Sequence, residues 1–488
     1  MAEWLSAFGA LMNFKTLGLM CFGMVTGIIF GALPGLTALM GVALLMPMTF
    51  FLPVEVGLPM LLCIYVGGIY GGSISAVLIR TPGTPASVVT TLDGYPMAQK
   101  GEAGKALSLS LISSFVGGII SISVLTFAAP LLGGIALQFG PIEMTALILV
   151  GIMIIGYLSG NSVLKGWIAA LLGLLLAAIG QDPLTGLPRL AFGATDLYGG
   201  ITLMPAVIGL FAISEVFFMV QMVESKTEMQ VVPSLQFVRF RELTRHTLGF
   251  IKGSVIGTFI GALPGAASGT AAWLSYGEAK RASKHPDKFG TGLPEGVIAS
   301  ETANNAVTGG ALIPALALGI PGDPVTAVLI GGLLIQGLRP GPLFFLKSMD
   351  VAYEIFIAMF IANILMVIFA IPLIKLFGRI LQIPKALLAT LVMILCLVGS
   401  YALNNSLFDC LVAVLLGMLG FFLRKRGFPL APMVLAFVLA PIFEKNLRRA
   451  LIMTDGSLWP FFHSYIAVAL FICSALLLLG LAKTGKKG

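Results

Sequence analysis

Two short polar breaks in an otherwise apolar chain hold the residue types that could bind a charged solute. The first, Arg80-Thr-Pro-Gly-Thr84-Pro, closes the apolar run 57–79. The second, Gly319-Ile-Pro-Gly322-Asp323-Pro, closes the run 296–319. Arginine presents a planar fork of donors that matches a carboxylate. An arginine at the end of a membrane run also snorkels to the water interface, so Arg80 has two readings. Asp323 in the second break could ligate Na+ or carry H+, because an ionisable group inside an apolar stretch defaults to function. Its Pro-Gly-Asp-Pro setting equally suits a turn at the water interface.

Other candidates cluster nearby. Ser73, Ser75, Thr81 and Thr84 surround the first break, and Glu301-Thr302-Ala-Asn304-Asn305 begins the segment that leads to the second. Adjacent asparagine amides in a membrane helix are costly unless paired, either with another helix or with a solute. Gly31-Ala-Leu-Pro-Gly35 followed by Thr37, and Gly261-Ala-Leu-Pro-Gly265 followed by Ser268 and Thr270, are helix-breaking sequences beside hydroxyls. The Gly-x-x-x-Gly that opens each reads as a close-packing surface. Past the break, a new helix N-terminus offers free N–H groups to an anion, and freed carbonyls suit a cation.

These breaks recur in order. Gly27–Gly35 matches Gly257–Gly265, Gly57-Leu-Pro59 matches Gly292-Leu-Pro294, Gly71-Gly72 matches Gly309-Gly310, and Pro82–Pro85 matches Pro321–Pro324. Four colinear pairs at nearly constant spacing indicate an internal duplication. Residues 1–223 form the first repeat half, 224–252 a basic linker, and 253–488 the second half.

Hydrophobic residues make up 58% of the 488, and charged ones 10%. A soluble domain carries about 25% charge, so the chain is an integral membrane protein. Most apolar runs exceed the roughly 20 residues that cross a bilayer as helix, and no alternating pattern of a β-barrel appears. The expected fold is an all-α polytopic membrane protein. It has roughly a dozen transmembrane helices in two repeated halves, some re-entrant or broken. The net charge of +8 fits basic cytoplasmic loops and not a nucleic-acid surface. The five cysteines stand apart, with neither metal nor disulfide spacing.

Charge also bears on topology. Loop 224–252, with Lys226, Arg239, Arg241, Arg245 and Lys252, and loop 278–294, with Lys280, Arg281, Lys284 and Lys288, are both basic. The positive-inside bias puts both in the cytoplasm. The run between them is then a re-entrant hairpin turning at Pro264-Gly265, and the repeat implies another at Pro34-Gly35. The same charge puzzle recurs at 427–443, between Arg424-Lys-Arg426 and Lys445.

An enzyme is not indicated. The three histidines lie in or near polar loops or segment ends, and no HExxH, Walker-A or nucleophile-elbow motif is present. Without a nucleotide motif, pumping would be driven by an ion gradient or another subunit.

The block Gly261–Pro324, together with Gly31–Pro47 and Arg80–Ser87, resembles the signatures of the large membrane subunit of tripartite tricarboxylate transporters. The resemblance implies secondary uptake of a carboxylate across the bacterial inner membrane by a multi-pass protein. It implies two protein partners, a periplasmic solute-binding protein and a small membrane subunit. It also implies coupling to Na+ or H+, with no cofactor. Ligand residues are not carried over from the family and rest on the chemistry above. The expected substrate-binding set is Gly35, Thr37, Ser73, Ser75, Arg80, Thr81, Gly265, Ser268, Thr270, Asn304 and Asn305. The expected cation-coupling set is Thr84, Thr302, Gly322 and Asp323. Rival readings are a stand-alone carrier or passive channel for small organic anions, and a membrane scaffold without flux.

Overall fold

The computed structural model describes residues 2–157, 162–182, 184–221, 236, 238–265, 268–380 and 384–484. Lys226 and much of the basic linker lie outside the described residues. The first helices are α1 (Ala2–Leu11), α2 (Phe14–Ala32), α3 (Ala38–Thr49), α4 (Val54–Ile79), α5 (Ser87–Met97), α6 (Ala103–Ala136), α7 (Pro141–Tyr157) and α8 (Val163–Ala177). A two-stranded antiparallel ladder follows, β1 (Gly180–Gln181) with β2 (Pro188–Arg189). α9 (Leu203–Val207) and α10 (Ser214–Gln221) join through a π turn at Ile208–Ile213. Next come α11 (Phe240–Thr244), α12 (Thr247–Gly261), α13 (Ser268–Ala282), α14 (Pro294–Leu318) and α15 (Pro324–Ile335). The chain ends with α16 (Phe344–Lys347), α17 (Met349–Ile380), α18 (Lys385–Asn404), α19 (Leu407–Lys425), α20 (Ala431–Met453) and α21 (Tyr465–Thr484).

Among the described residues, seven helices are long and apolar enough to cross a membrane, and six shorter apolar helices accompany them. The polarity is that of a molecule in lipid. Serines and asparagines such as Ser73, Ser110, Ser114, Asn304 and Asn305 are buried, while Leu391, Ile394, Leu411 and Leu415 face outward. The fold is an all-α membrane protein.

At the centre stand α4 and α14, buried along almost their whole length. Glycine spacing explains how each gains a close neighbour. Gly23, Gly27 and Gly31 lie four residues apart on α2, so they share one face. A Cβ at Gly27 would lie 2.5 Å from the Ile64 carbonyl oxygen of α4, and one at Gly31 would lie 2.1 Å from that of Gly68. α12 meets α14 in the same way, since a Cβ at Gly257 would come within 2.3 Å of the Ala303 carbonyl oxygen. Backbone-to-backbone contact of this kind is how helices associate where water exerts no hydrophobic drive.

The run 253–277 is two helices. Lys252 Nζ near the start of α12 lies 3.2 Å from Glu278 Oε1 near the end of α13, so the arms are antiparallel. The chain reverses near Pro264-Gly265, where Gly265 takes the left-handed φ of 81°. Gly35, with φ 95°, makes the matching reversal between α2 and α3. Each arm of the α12–α13 pair has 15 residues, about 22 Å of helix against a hydrocarbon core of about 30 Å.

The charge puzzle at 427–443 resolves differently. α20 runs unbroken through Pro441, so it separates Arg424–Arg426, at the end of α19, from Lys445 in its own second half. Two of the arginines toward the far end are paired within the protein. Arg448 lies 2.7 Å from Asp182 and 2.8 Å from Glu444, and Arg189 lies 2.6 Å from Glu444. Depressed by the backbone N–H groups of Thr185 and Leu184, and then by Arg448, the Asp182 carboxyl lies well below its ordinary range.

Candidate functional site

Both breaks follow the end of a central helix. α4 ends on Arg80 at φ 55°, and α14 ends on Gly319 at φ 71°, each in the left-handed region. The chain then folds back onto a close-packed helix, α2 after the first break and α12 after the second. A Cβ at Gly83 would lie 1.9 Å from the Gly31 carbonyl oxygen, and one at Gly322 would lie 2.5 Å from that of Gly261. The Gly265 N–H also donates to the Gly322 carbonyl at 2.9 Å. Only glycine allows the break to seat so tightly on the hairpin.

The second break is held by Asp323. Its Oδ1 accepts from the Thr326 N–H at 2.7 Å and from Thr326 Oγ1 at 2.9 Å, and the Asp323 N–H donates back to Thr326 Oγ1. This capping box opens α15. Oδ2 accepts from Tyr65 Oη of α4 at 2.6 Å. Asp323 is 4% exposed, so it is a turn residue, as its sequence suggests, but one inside the protein.

The first break is less tightly closed. Thr84 Oγ1 and Ser87 Oγ lie 2.6 Å apart, and Thr81 Oγ1 donates to the Ile79 carbonyl. No side chain caps α5, whose N-cap residue is Ala86. The N-terminus of α13 lies alongside: a Cβ at Gly269, between Ser268 and Thr270, would sit 3.5 Å from the Pro85 carbonyl oxygen. Two helix N-termini therefore meet here, each favourable to negative charge. Arg80 itself is exposed, with its guanidinium 5.7 Å from the Tyr95 ring centre.

Of the other candidates, Ser73 Oγ donates to the Tyr70 carbonyl and accepts from Ser110 at 2.7 Å. Ser75 Oγ donates to the Gly72 carbonyl. Gly35 and Thr37 lie apart, at the α2–α3 turn. A Cβ at Gly35 would be 2.6 Å from Glu215 Oε1, whose carboxylate pairs with Arg424 at 2.5 Å. Thr37 caps α3. Thr302 faces α12, since a Cβ at Gly253 would lie 2.9 Å from its Cβ.

Asn304 and Asn305 belong to a buried polar group on α14. Asn305 Nδ2 donates to Ser114 Oγ of α6 at 2.6 Å, and Asn304 Nδ2 donates to the Ile69 carbonyl of α4 at 3.5 Å. Glu301 accepts from Ser114 Oγ at 3.3 Å and from Thr90 Oγ1 of α5. Four elements, α4, α5, α6 and α14, thus converge on this polar group. Sequence reasoning passed over Thr90, Ser114 and the two tyrosines, Tyr65 and Tyr70. The signal was there in the polar pairs Ser108-x-Ser110 and Ser113-Ser114 within the apolar α6.

The model of the tripartite tricarboxylate transporter TctA family matches residues 17–435. The chain belongs to this family. It is similar to an uncharacterized 52.8 kDa protein in the TAR-I ttuC' 3' region of Agrobacterium vitis. The two are 39% identical over 452 residues, 92% of this chain and 90% of the relative. A second uncharacterized protein of that organism, from the TAR-II ttuC' 3' region, is 39% identical over 213 residues, 43% of this chain and 88% of its own. No solved structure matches. This TctA-family chain is accordingly a membrane transporter, built around two breaks seated on two hairpins.

Proposed function

We propose that this chain is the large membrane subunit of an ion-driven carboxylate uptake system in the bacterial inner membrane. A periplasmic binding protein delivers the substrate, a small membrane subunit accompanies the large one, and Na+ or H+ supplies the driving force. The observation that carries the reading is the paired seating of Gly83 on Gly31 and Gly322 on Gly261. Irregular backbone inside a membrane protein is tolerated where it is buried in protein or lines a solute path. Discontinuous helices in corresponding positions of two halves mark the binding centre of secondary transporters.

The halves 1–223 and 253–488, separated by the linker 224–252, are a duplicated and inverted unit in this reading. The matched helices α4 and α14 run antiparallel. Ile69 lies by Asn304 while the earlier residue Tyr65 meets the later Asp323. The short helix after each break docks on the other half's hairpin. Asp93 of α5 accepts from Tyr276 of α13 at 2.8 Å, and Gln336 after α15 donates to the Thr49 carbonyl of α3. Crossings then fall to α4–α5, α6, α7, α8 and α9–α10 in the first half, an odd set that inverts the second. With α14–α15 and α17 to α21 this makes roughly eleven crossings.

Sidedness follows from charge. Lys100 donates to the Thr291 carbonyl, Lys105 pairs with Glu242, and Lys252 pairs with Glu278, so one end collects the basic loops. That end is cytoplasmic, and the β1–β2 ladder is periplasmic. The substrate carboxylates sit between the N-termini of α5 and α13, with Arg80 at the approach.

The test is uptake of radiolabelled carboxylates into proteoliposomes holding this chain and the small subunit, with the binding protein added or withheld and a Na+ or H+ gradient imposed. Gradient-driven uptake that requires the binding protein is expected. Downhill flux indifferent to both would make the chain a channel.

A further inference from the structure

We propose that Glu301, with Tyr70, Asn304 and Asn305, forms a Na+ site at the junction of α4, α5, α6 and α14. The proposal rests on the reading of the chain as an ion-driven carrier, and it moves the coupling ion away from Asp323. The Asp323 carboxylate is already engaged by Thr326 on one oxygen and Tyr65 on the other.

Glu301 is 0% exposed, and among the described residues no basic side chain pairs with it. Its hydrogen bonds come from neutral groups, the Thr90 and Ser114 hydroxyls and the Asn304 side chain. An uncompensated carboxylate in such a place costs several kcal/mol. Either a proton or a cation must balance it.

The neighbouring acceptors decide between the two. Residues 301, 304 and 305 share one face of α14 by their i, i+3 and i+4 spacing. Each asparagine is anchored through its amide nitrogen, Asn305 to Ser114 and Asn304 to the Ile69 carbonyl and the Glu301 carboxylate. That leaves Asn304 Oδ1 and Asn305 Oδ1 as buried acceptors with no partner among the described residues. Tyr70 Oη, within electrostatic range of Glu301, is likewise buried and unpartnered. A proton on Glu301 could satisfy one of these oxygens. A small cation ligates several at once, and hard cations take oxygen ligands. With a single carboxylate among neutral oxygens, the site balances one positive charge. Among the described residues no group of three or more His, Cys, Asp or Glu could hold a metal ion, which disfavours a multivalent or transition metal.

The test is Na+ binding to the purified chain in detergent, without substrate or binding protein, by 22Na+ retention and by thermal unfolding in NaCl against choline chloride at equal ionic strength. Wild type is expected to retain 22Na+ and to unfold at higher temperature in NaCl. Glu301→Gln and Asn305→Leu should each weaken that response by about tenfold or more, roughly 1.4 kcal/mol. Glu278→Gln, distant from the site, should keep it. An unfolding transition of Glu301→Gln in choline chloride as high as that of wild type shows that the variant folds. Should it misfold, Asn305→Leu carries the test. An unchanged Na+ response in both variants overturns the site. So does a wild-type chain indifferent to Na+ but stabilised by lower pH, which would make Glu301 a proton carrier. Because the assay involves no transport, failure of the uptake reading would leave this result standing, and uptake driven by H+ alone would defeat the Na+ site and not the carrier.

Discussion

Tyr65 Oη donates to Asp323 Oδ2 at 2.6 Å, tying the centre of α4 to the break that follows α14. The bond is buried, because Tyr65 and Asp323 are 0% and 4% exposed. Tyr65→Phe keeps the ring and removes the donor, stranding one carboxylate oxygen. A buried polar atom left unpaired costs about 1–3 kcal/mol. Asp323→Ala removes the α15 cap as well, worth about another 1 kcal/mol. Thermal unfolding in detergent should rank wild type above Tyr65→Phe and Tyr65→Phe above Asp323→Ala. Equal midpoints for wild type and Tyr65→Phe would remove the bond from the account.

Arg80 separates stability from function. Its φ of 55° places a residue with a Cβ in the left-handed region, at a cost of about 1–2 kcal/mol that glycine avoids. Gly319 occupies the same place at the end of α14. Arg80→Gly should therefore unfold at the same or higher temperature than wild type and, if the proposed role of the guanidinium holds, still lose uptake. A stable Arg80→Gly variant with wild-type uptake would show that the side chain only snorkels.

The seating of the breaks predicts a contrast among glycines. A Cβ at Gly322 would meet the Gly261 carbonyl oxygen at 2.5 Å and the Ala311 Cα at 2.6 Å, and both belong to buried backbone that cannot swing away. Gly322→Ala should cost about 1–3 kcal/mol or more by overpacking. At Gly134 on α6 nothing lies within 4 Å of an added Cβ. Gly134→Ala should be neutral or stabilise by up to about 1 kcal/mol through helix propensity. Monodispersity and thermal midpoint in size-exclusion chromatography of the two variants would check the pair.

The hairpins and breaks were legible in the sequence because Pro-Gly is a local signal and the basic loops constrain the side on which the chain emerges. What joined them was not. Tyr65 and Tyr70 lie within an apolar run where an aromatic reads as core, and their roles come only from partners such as Asp323, far along the chain. Glu301 was visible as a charge in a membrane segment, but its meaning depends on Thr90 and Ser114, which come from helices far earlier in the chain. The periodicity that marks a soluble amphipathic helix is missing from α4 and α14, because both are buried on every side. The basic end of α20 misled for a related reason. Asp182, which pairs with Arg448 there, opens the turn of a short ladder that no hydrophobic pattern announces.

The pH response of that ladder follows from Asp182. Its carboxyl is held below the ordinary value of 3.8 by backbone N–H groups and Arg448. A depressed value stabilises the folded form above the ordinary one, and the contribution is lost only as pH falls through the folded value. Limited proteolysis of the loop 184–200 should therefore proceed at a constant rate, corrected for protease activity, from about pH 8 to about pH 5. Asp182→Asn should raise the rate across that whole range, since the ionic part of the contact to Arg448 is gone at every pH. Acceleration of wild-type cleavage already near pH 6 would point to another group as the titrating one.

Sidedness can be read with a membrane-impermeant thiol reagent on single-cysteine variants. Lys284→Cys lies in the loop that follows α13, and Lys100→Cys lies beside Thr291 of that same loop. Both should react only from the cytoplasmic face, together, because the hairpin α12–α13 returns the chain to the side it left. Phe192→Cys, 88% exposed in the loop after β2, should react only from the periplasmic face. The discriminating pair is Arg245→Cys, ahead of α12, and Lys284→Cys. Labelling of these two from opposite faces would turn α12–α13 into a crossing, give the second half one crossing more, and remove the basis for an inverted repeat.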